Sequence, residues 1–242
     1  MLVLITNDDG YEAKGIRVLY ESLKKIKGII PYTISPYQQK SGASTSITID
    51  KPIKVHRIKE NFFAIEGTPA DCVFLGLESD LLPQKPKMIF SGINHGLNVG
   101  IEVFYSGTVG AAIQGYIYGL PAVAISTKKE ANWEIISSYL PNLLEKIIEL
   151  KENFEVLNIN LPPKKYPKGI KITHLAKAYY KQAVLKRSEN EFELFGELIW
   201  EKEETSDAEA IENDFISITP LHFQIVDKEA FKKIKEFERI KI

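Results

Sequence analysis

Leu2-Val3-Leu4-Ile5-Thr6-Asn7-Asp8-Asp9-Gly10 is the stretch whose reading decides the fold. A short apolar, β-prone run stops at an amide, two adjacent carboxylates and a glycine, and a helical pattern begins near Gly15. That is the signature of a strand, a loop and a helix. Inside a strand, neighbouring side chains point to opposite faces. In a loop turned by Gly10, Asp8 and Asp9 can instead face one object. Ligands of open α/β sheets bind beyond the carboxyl ends of the strands, where these acids fall. Two carboxylates held together repel, so at neutral pH they share a cation or a proton. A hard divalent cation suits them. A turn or helix cap built by an Asn/Asp-Gly cluster accounts for the same residues without chemistry.

Outward from this stretch, strands and helices alternate. Ile16, Leu19, Leu23 and Ile26 outline a first helix that Gly28 is placed to end, and Tyr32–Ser35 is a second strand. Residues 36–46, with Ser41, Gly42, Ser44 and Ser46, form a polar loop at the site end. Ile47–Ile49, Ile53–Val55 and Phe62–Ile65 form a small β excursion. Thr68-Pro69-Ala70-Asp71 opens a helix, with Thr68 as N-cap, Pro69 at the first position and Asp71 in the first turn. Met88–Phe90 is a short buried strand that leads into a loop, Ser91–Gly100, rich in glycine and asparagine. Ser106 to Ala112 begins a helix of small residues, Pro121–Ile125 and Val156–Asn160 are buried strands, and Ile135 to Leu150 outline a long amphipathic helix. The expected fold class is α/β: a Rossmann-like, doubly wound, mostly parallel sheet. After Pro162-Pro163 the texture changes to hairpin-like strands at Ile170–Thr173 and Phe192–Leu198, then a charged helix from Lys228 to Ile242. We divide the chain into a catalytic core, 1–163, and an arm segment of the same domain, 164–242. Tyr179, Tyr180, Phe192, Phe195 and Trp200 pack either on a neighbouring subunit or within the chain's own core.

With 242 residues, 44% hydrophobic and 26% charged, the chain can bury an ample core. A formal net charge of -1 does not support a generally basic surface for a nucleic-acid polymer. Cys72 is the single cysteine, which excludes an internal disulfide and a cysteine-rich zinc site. No stretch approaches a membrane span and the amino terminus lacks a basic leader, so a cytoplasmic location is expected.

Three loops converge on one edge of such a sheet, carrying Asp8 and Asp9, Ser41, and Asn94 with Asn98. All are oxygen donors, the chemistry preferred by Mg²⁺ and Mn²⁺ over zinc. A cation held this way leaves room for phosphate and water, and Ser106-Gly107-Thr108 at a helix mouth offers N–H groups and hydroxyls to an anion. Hydrolysis of a phosphate ester is the reaction these parts suggest. No Walker loop, complete GxGxxG fingerprint or GxSxG elbow is present. The aspartate pair of haloacid-dehalogenase phosphatases is separated by one residue, whereas here it is adjacent. His95 is a weak candidate proton donor, since a lone loop histidine is more often solvated.

The segments Asn7–Gly10, Lys40–Ser44, Glu66–Asp71, Ser91–Asn94 and Tyr105–Val109, in this order, closely resemble the SurE family of survival-protein 5′-nucleotidases. Weaker similarity runs through Asn158–Asn160 to Ser217–Leu221. The resemblance implies a Rossmann-like, metal-dependent phosphatase of nucleoside 5′-monophosphates, with 3′-monophosphates and short polyphosphate as further substrates. It implies one divalent cation per subunit, Mg²⁺ or Mn²⁺, on Asp8, Asp9, Ser41 and Asn94. Asp8 and Asp9 serve catalysis, and Asn98, Ser106, Gly107 and Thr108 bind phosphate. It further implies a homodimer or homotetramer built through exchanged carboxy-terminal elements. The chain departs from the family at Tyr37, where an aspartate is common, and at Ile101 and Glu102, where acids precede the Tyr-Ser-Gly-Thr segment. A binding module that holds a nucleotide without turnover is the rival reading.

Overall fold

β1 (Leu2–Thr6) is buried along its whole length. Its alternation sorts the core: Val3 and Ile5 face one hydrophobic cluster, Leu2 and Leu4 the other. The first cluster receives α1 (Lys14–Lys24) and α5 (Trp133–Glu149), and the second receives α2 (Pro69–Glu78) and α4 (Gly107–Ile117). Helices on both faces explain why β1 is buried and almost wholly apolar rather than alternating. The computed structural model describes residues 1–181, 184–194, 197–201, 203–223 and 227–240.

β1 pairs in parallel with β2 (Ile30–Pro36) on one side and β5 (Ile89–His95) on the other. β3 (Val55–Lys59) and β4 (Phe62–Ile65) extend the sheet beyond β2, with β3 antiparallel to β4. β6 (Ala122–Thr127) and β7 (Val156–Leu161) extend it in parallel beyond β5. β8 (Ile170–Ile172) and β13 (Ile216–Leu221) come from beyond Pro163 and complete the same sheet, in the order β3-β4-β2-β1-β5-β6-β7-β13-β8. β13 runs antiparallel to β7 and parallel to β8. Ile170–Ile172 is thus an edge strand of the main sheet, not half of a hairpin.

Between these lie α3 (Glu102–Tyr105), α6 (Asp207–Glu212) and an arm of four strands: β9 (Ala178–Lys181), β10 (Val184–Lys186), β11 (Phe192–Leu194) and β12 (Glu197–Trp200). β9 pairs with β12 and β10 with β11, both antiparallel. Tyr179 and Phe192 remain exposed there, while Phe195 lies outside the described residues. The chain closes with α7 (Lys228–Ile234), and among the described residues no helix is long and apolar enough to cross a membrane.

Other local expectations differ as well. Ser91–His95 is strand rather than loop, because β6 supplies a parallel partner for Ser91, Gly92, Asn94 and His95 that outweighs their low strand propensity. Ile47–Ile49 forms no strand. Its Thr48 N–H and hydroxyl are taken instead by the Asp71 carboxylate. The first helix ends at Lys24, and Gly28, at φ 82°, turns the chain only after a further bend.

Candidate active site

The chain winds from β1 to β2 in one direction and from β5 to β6 and β7 in the other, so the crevice beyond β1 and β5 is the switch point of the sheet. Asp8 and Asp9 follow β1, and Asn94 lies in the last two residues of β5. Asn7 builds the turn: it donates to the Gly10 carbonyl at 2.9 Å and accepts from the Ser35 hydroxyl at 2.6 Å.

Asp8 is 4% exposed and sits against the amino end of α4. Thr108 donates to it twice, from its hydroxyl at 2.7 Å and its backbone N–H at 3.2 Å. A Cβ on Gly107 would lie 3.0 Å from that of Asp8, so this position is a close packing contact. Burial, aided by the charge of Asp9 and opposed by Thr108, pushes the Asp8 carboxyl up to about 6. Asp9 accepts the His95 backbone N–H at 2.9 Å, with the His95 ring Nδ1 at 3.8 Å. The edge of that ring packs on Trp133. Among the described residues, neither aspartate has a Lys or Arg ion-pair partner, and no three His, Cys, Asp or Glu side chains gather into a metal cluster. Two adjacent carboxylates without a Lys or Arg beside them fit a divalent ion whose remaining ligands are neutral oxygens and water.

Asn94 offers such an oxygen. Its amide nitrogen is committed to the Gly96 carbonyl at 2.8 Å, which leaves the carbonyl oxygen as its available ligand atom. Ser41 is exposed and accepts from the Gln39 amide at 2.8 Å. It is brought to the crevice by the preceding residue, Lys40, whose N–H donates to the Asp8 carbonyl at 2.7 Å.

The rest of the serine loop is pinned to two helix starts. Ser44 donates from its N–H to Tyr105 O and from its hydroxyl to Phe104 O, and a Cβ on Gly110 would come within 1.9 Å of Ser44 O. On the other side, Thr68 and Asp71 form a capping box at the start of α2, and Asp71 also holds Thr48.

The expected phosphate donors have definite partners. The Ser106 hydroxyl accepts from Val109 N at 3.1 Å, and Thr108 is spent on Asp8. Asn98, 3% exposed, gives its amide to the Ser126 hydroxyl at 2.7 Å. Asn98 N donates to Asn160 Oδ1, and Asn98 O accepts from both Asn158 and Asn160. Gly107 N–H carries no hydrogen bond among the described residues. Asn158 and Asn160 were not among the expected site residues. Their spacing of two in a strand, which puts both amides on one face, is the signal that could have found them. Asp207 had no such signal: its carboxylate collects the N–H groups of Gly100, Ala176 and Ala208 across a gap no sequence pattern spans.

Comparison with known proteins agrees with this geometry. The family model described as "Survival protein SurE" matches residues 3–182. The chain belongs to the SurE family. A "5′-nucleotidase SurE" from Caldanaerobacter subterraneus subsp. tengcongensis is 39% identical over 250 residues, spanning 98% of this chain and 97% of the relative. One of the same description from Aquifex aeolicus is 36% identical, spanning 97% of each. The crystal structure of the SurE protein from Aquifex aeolicus superposes with a TM-score of 0.84 at 34% identity, covering 98% of this chain and 100% of that one. The SurE fold thus accounts for both the mostly parallel sheet and the carboxy-terminal strand pairs.

Proposed function

We propose that this SurE-family chain is a metal-dependent phosphomonoesterase that hydrolyses nucleoside 5′-monophosphates to nucleoside and phosphate. The 5′-nucleotidase relatives, similar over nearly their full length, support the substrate class. The observation that carries the metal dependence is the adjacent pair of buried Asp8 and half-buried Asp9, which no Lys or Arg among the described residues neutralises. Asp8, Asp9, Ser41 and Asn94 would hold one Mg²⁺ or Mn²⁺ per subunit. When bound, such an ion supplies charge neutralisation for the phosphate and a lowered pKa for a bound water.

The chain's own residues do the positioning. Thr108 fixes Asp8 at the positive end of α4, and the His95 N–H fixes one oxygen of Asp9. The other Asp9 oxygen has no hydrogen bond among the described residues, so Asp9 is suited to orient the attacking water and accept its proton. Gly107 N–H is the first-turn donor available to a phosphate oxygen. Ser106, Thr108 and Asn98 shape that cradle, and would exchange their present partners to touch the phosphate themselves. The arm, β9 to β12, is proposed as the surface of a homodimer or homotetramer, and the compartment as cytoplasmic. Activity on 3′-monophosphates and short polyphosphate follows from the same phosphate cradle, while a nucleic-acid polymer is not expected as a partner.

The test is phosphate release from a panel of monophosphates with and without exhaustive chelation. Loss on chelation and recovery with Mg²⁺ or Mn²⁺ are expected. Full turnover without metal would remove the metal assignment, and saturable nucleotide binding with no turnover would favour a binding module.

A further inference from the structure

The segment 100–105 leads from the Asn98 amide network to the amino end of α4, and the hydrolytic scheme gives it no part. It nevertheless touches both sides of the site. Ser106 N donates to Glu102 O at 3.1 Å at the N-cap of α4, and two residues on Thr108 meets Asp8. From the opposite side Ser44 donates to Tyr105 O and Phe104 O, so the serine loop is anchored on α3 as well. A shift of this connector therefore moves Thr108 and the serine loop together.

The connector is itself held from the carboxy-terminal part of the chain. Gly100 turns at φ 54° and packs so close to Ala176 that a Cβ would lie 2.6 Å from Ala176 O. Its N–H donates at 2.9 Å to Oδ2 of Asp207, a fully buried side chain. Oδ1 of the same carboxylate accepts Ala176 N at 2.8 Å and Ala208 N at 2.9 Å. Ala176 lies just before β9 and Asp207 beyond β12, so one carboxylate ties the two ends of the arm to each other and to the connector. A bridge between His174 and Ser206 closes the same stem. A second tie comes from the arm itself, where the Tyr180 hydroxyl donates to Glu102 and its ring stands 6.5 Å from that of Tyr105. Helix capping does not account for Asp207. Ser206 already caps α6 by accepting Glu209 N at 3.2 Å, and two of the three N–H groups on Asp207 come from other segments. Hydrogen bonds to an ionised carboxylate are stronger than neutral ones, which suits a fixed anchor.

We propose that Asp207 and Tyr180 are positioning residues: they fix the connector to the stem of the arm, and through it set where Thr108 and the serine loop stand against Asp8. The arm then governs turnover without contributing a group to the reacting phosphate. The kinetic consequence rests on the phosphomonoesterase reading, while the clamp itself is measurable without turnover.

Asp207→Asn isolates the tie to Gly100. Its amide oxygen can keep Ala176 N and Ala208 N, which leaves an NH₂ group facing the Gly100 N–H, two donors with no acceptor between them. In the intact protein at saturating Mn²⁺, kcat/KM for a nucleoside 5′-monophosphate should fall on the order of 10²-fold, the cost of a small misplacement of positioned groups. Amide hydrogen exchange across 100–108 should rise with it. Ser206→Ala weakens α6 without touching the connector, so it should lower the unfolding midpoint and leave kcat/KM unchanged. Tyr180→Phe removes one hydroxyl and should lower kcat/KM roughly tenfold with the fold intact, the scale of one hydrogen bond to a charged group. Wild-type kcat/KM in a folded Asp207→Asn protein, or unchanged exchange across 100–108, would overturn the proposal. An equal kinetic loss in Ser206→Ala would make the effect one of stability and overturn it as well. Should Asp207→Asn fail to fold, Tyr180→Phe decides alone, and wild-type kinetics there would overturn the clamp. Raised exchange across 100–108 in Asp207→Asn, where the wild type hydrolyses no phosphomonoester, would sink the enzymatic reading and leave the clamp standing.

Discussion

Asp8 is a buried carboxylate whose hydrogen-bond donors both come from Thr108, one hundred residues away in sequence. Because burial already works against its charge, Asp8→Asn removes that charge without leaving a hole. Activity should drop on the order of 10²-fold or more while the thermal midpoint stays within a few degrees of wild type. Near-wild-type turnover would move the reaction elsewhere. The proposed neutral ligands should behave differently. Asn94→Ala removes one oxygen but leaves both aspartates to attract the ion, so the Mn²⁺ activation curve should shift to higher concentration and recover substantially at saturation. Asp9→Ala should recover poorly in the same titration, since charge compensation and water orientation go together. An Asn94→Ala protein that stays folded yet inactive at saturating metal would place Asn94 on the phosphate instead.

The elements hold these residues through a few close approaches. α4 begins against the Asp8 carboxylate, and its next turn at Gly110 touches the serine loop so closely that a Cβ there would meet Ser44 O at 1.9 Å. Gly110→Ala should therefore displace the loop and Ser41 with it. A loss of about 1–3 kcal/mol in urea unfolding and a weaker metal activation are expected together. If only stability falls and the metal curve is unmoved, the loop does not carry a ligand. α2 anchors the other side: Thr68→Ala removes a cap and the Ser46 tie, and should cost about 1 kcal/mol by the same unfolding assay.

At the scale of the molecule, the arm is joined to the site rather than merely appended. Asp207 clamps Gly100 N and Ala176 N together, and the Tyr180 hydroxyl donates to Glu102 in α3. The arm also leaves Tyr179, Val184, Phe192 and Leu194 exposed, Leu194 at 87%, an apolar surface that a second subunit would cover. Deleting 178–200 should yield smaller, less stable species with reduced activity. Light scattering that shows the intact protein to be monomeric at micromolar concentration would make the arm intramolecular.

Apolar runs, helix periodicity and capping residues determined the alternating elements, because these are local consequences of burial and backbone geometry. The Asp8–Asp9 pair at the end of β1 was legible for the same reason: a strand that stops at two carboxylates leaves them at the sheet's edge whatever surrounds it. Pairing between distant segments decided the rest. Ser91–His95 became strand because β6 offered its backbone, Thr48 was drawn to Asp71 instead of into a strand, and β8 and β13 joined the main sheet from beyond Pro163. The buried amide network of Asn98, Asn158 and Asn160 and the placement of Thr108 against Asp8 likewise exist only once β5, β7 and α4 are packed. A hydrogen bond between residues far apart in sequence leaves no periodicity behind, since its partners are chosen by how the elements pack and not by their spacing along the chain.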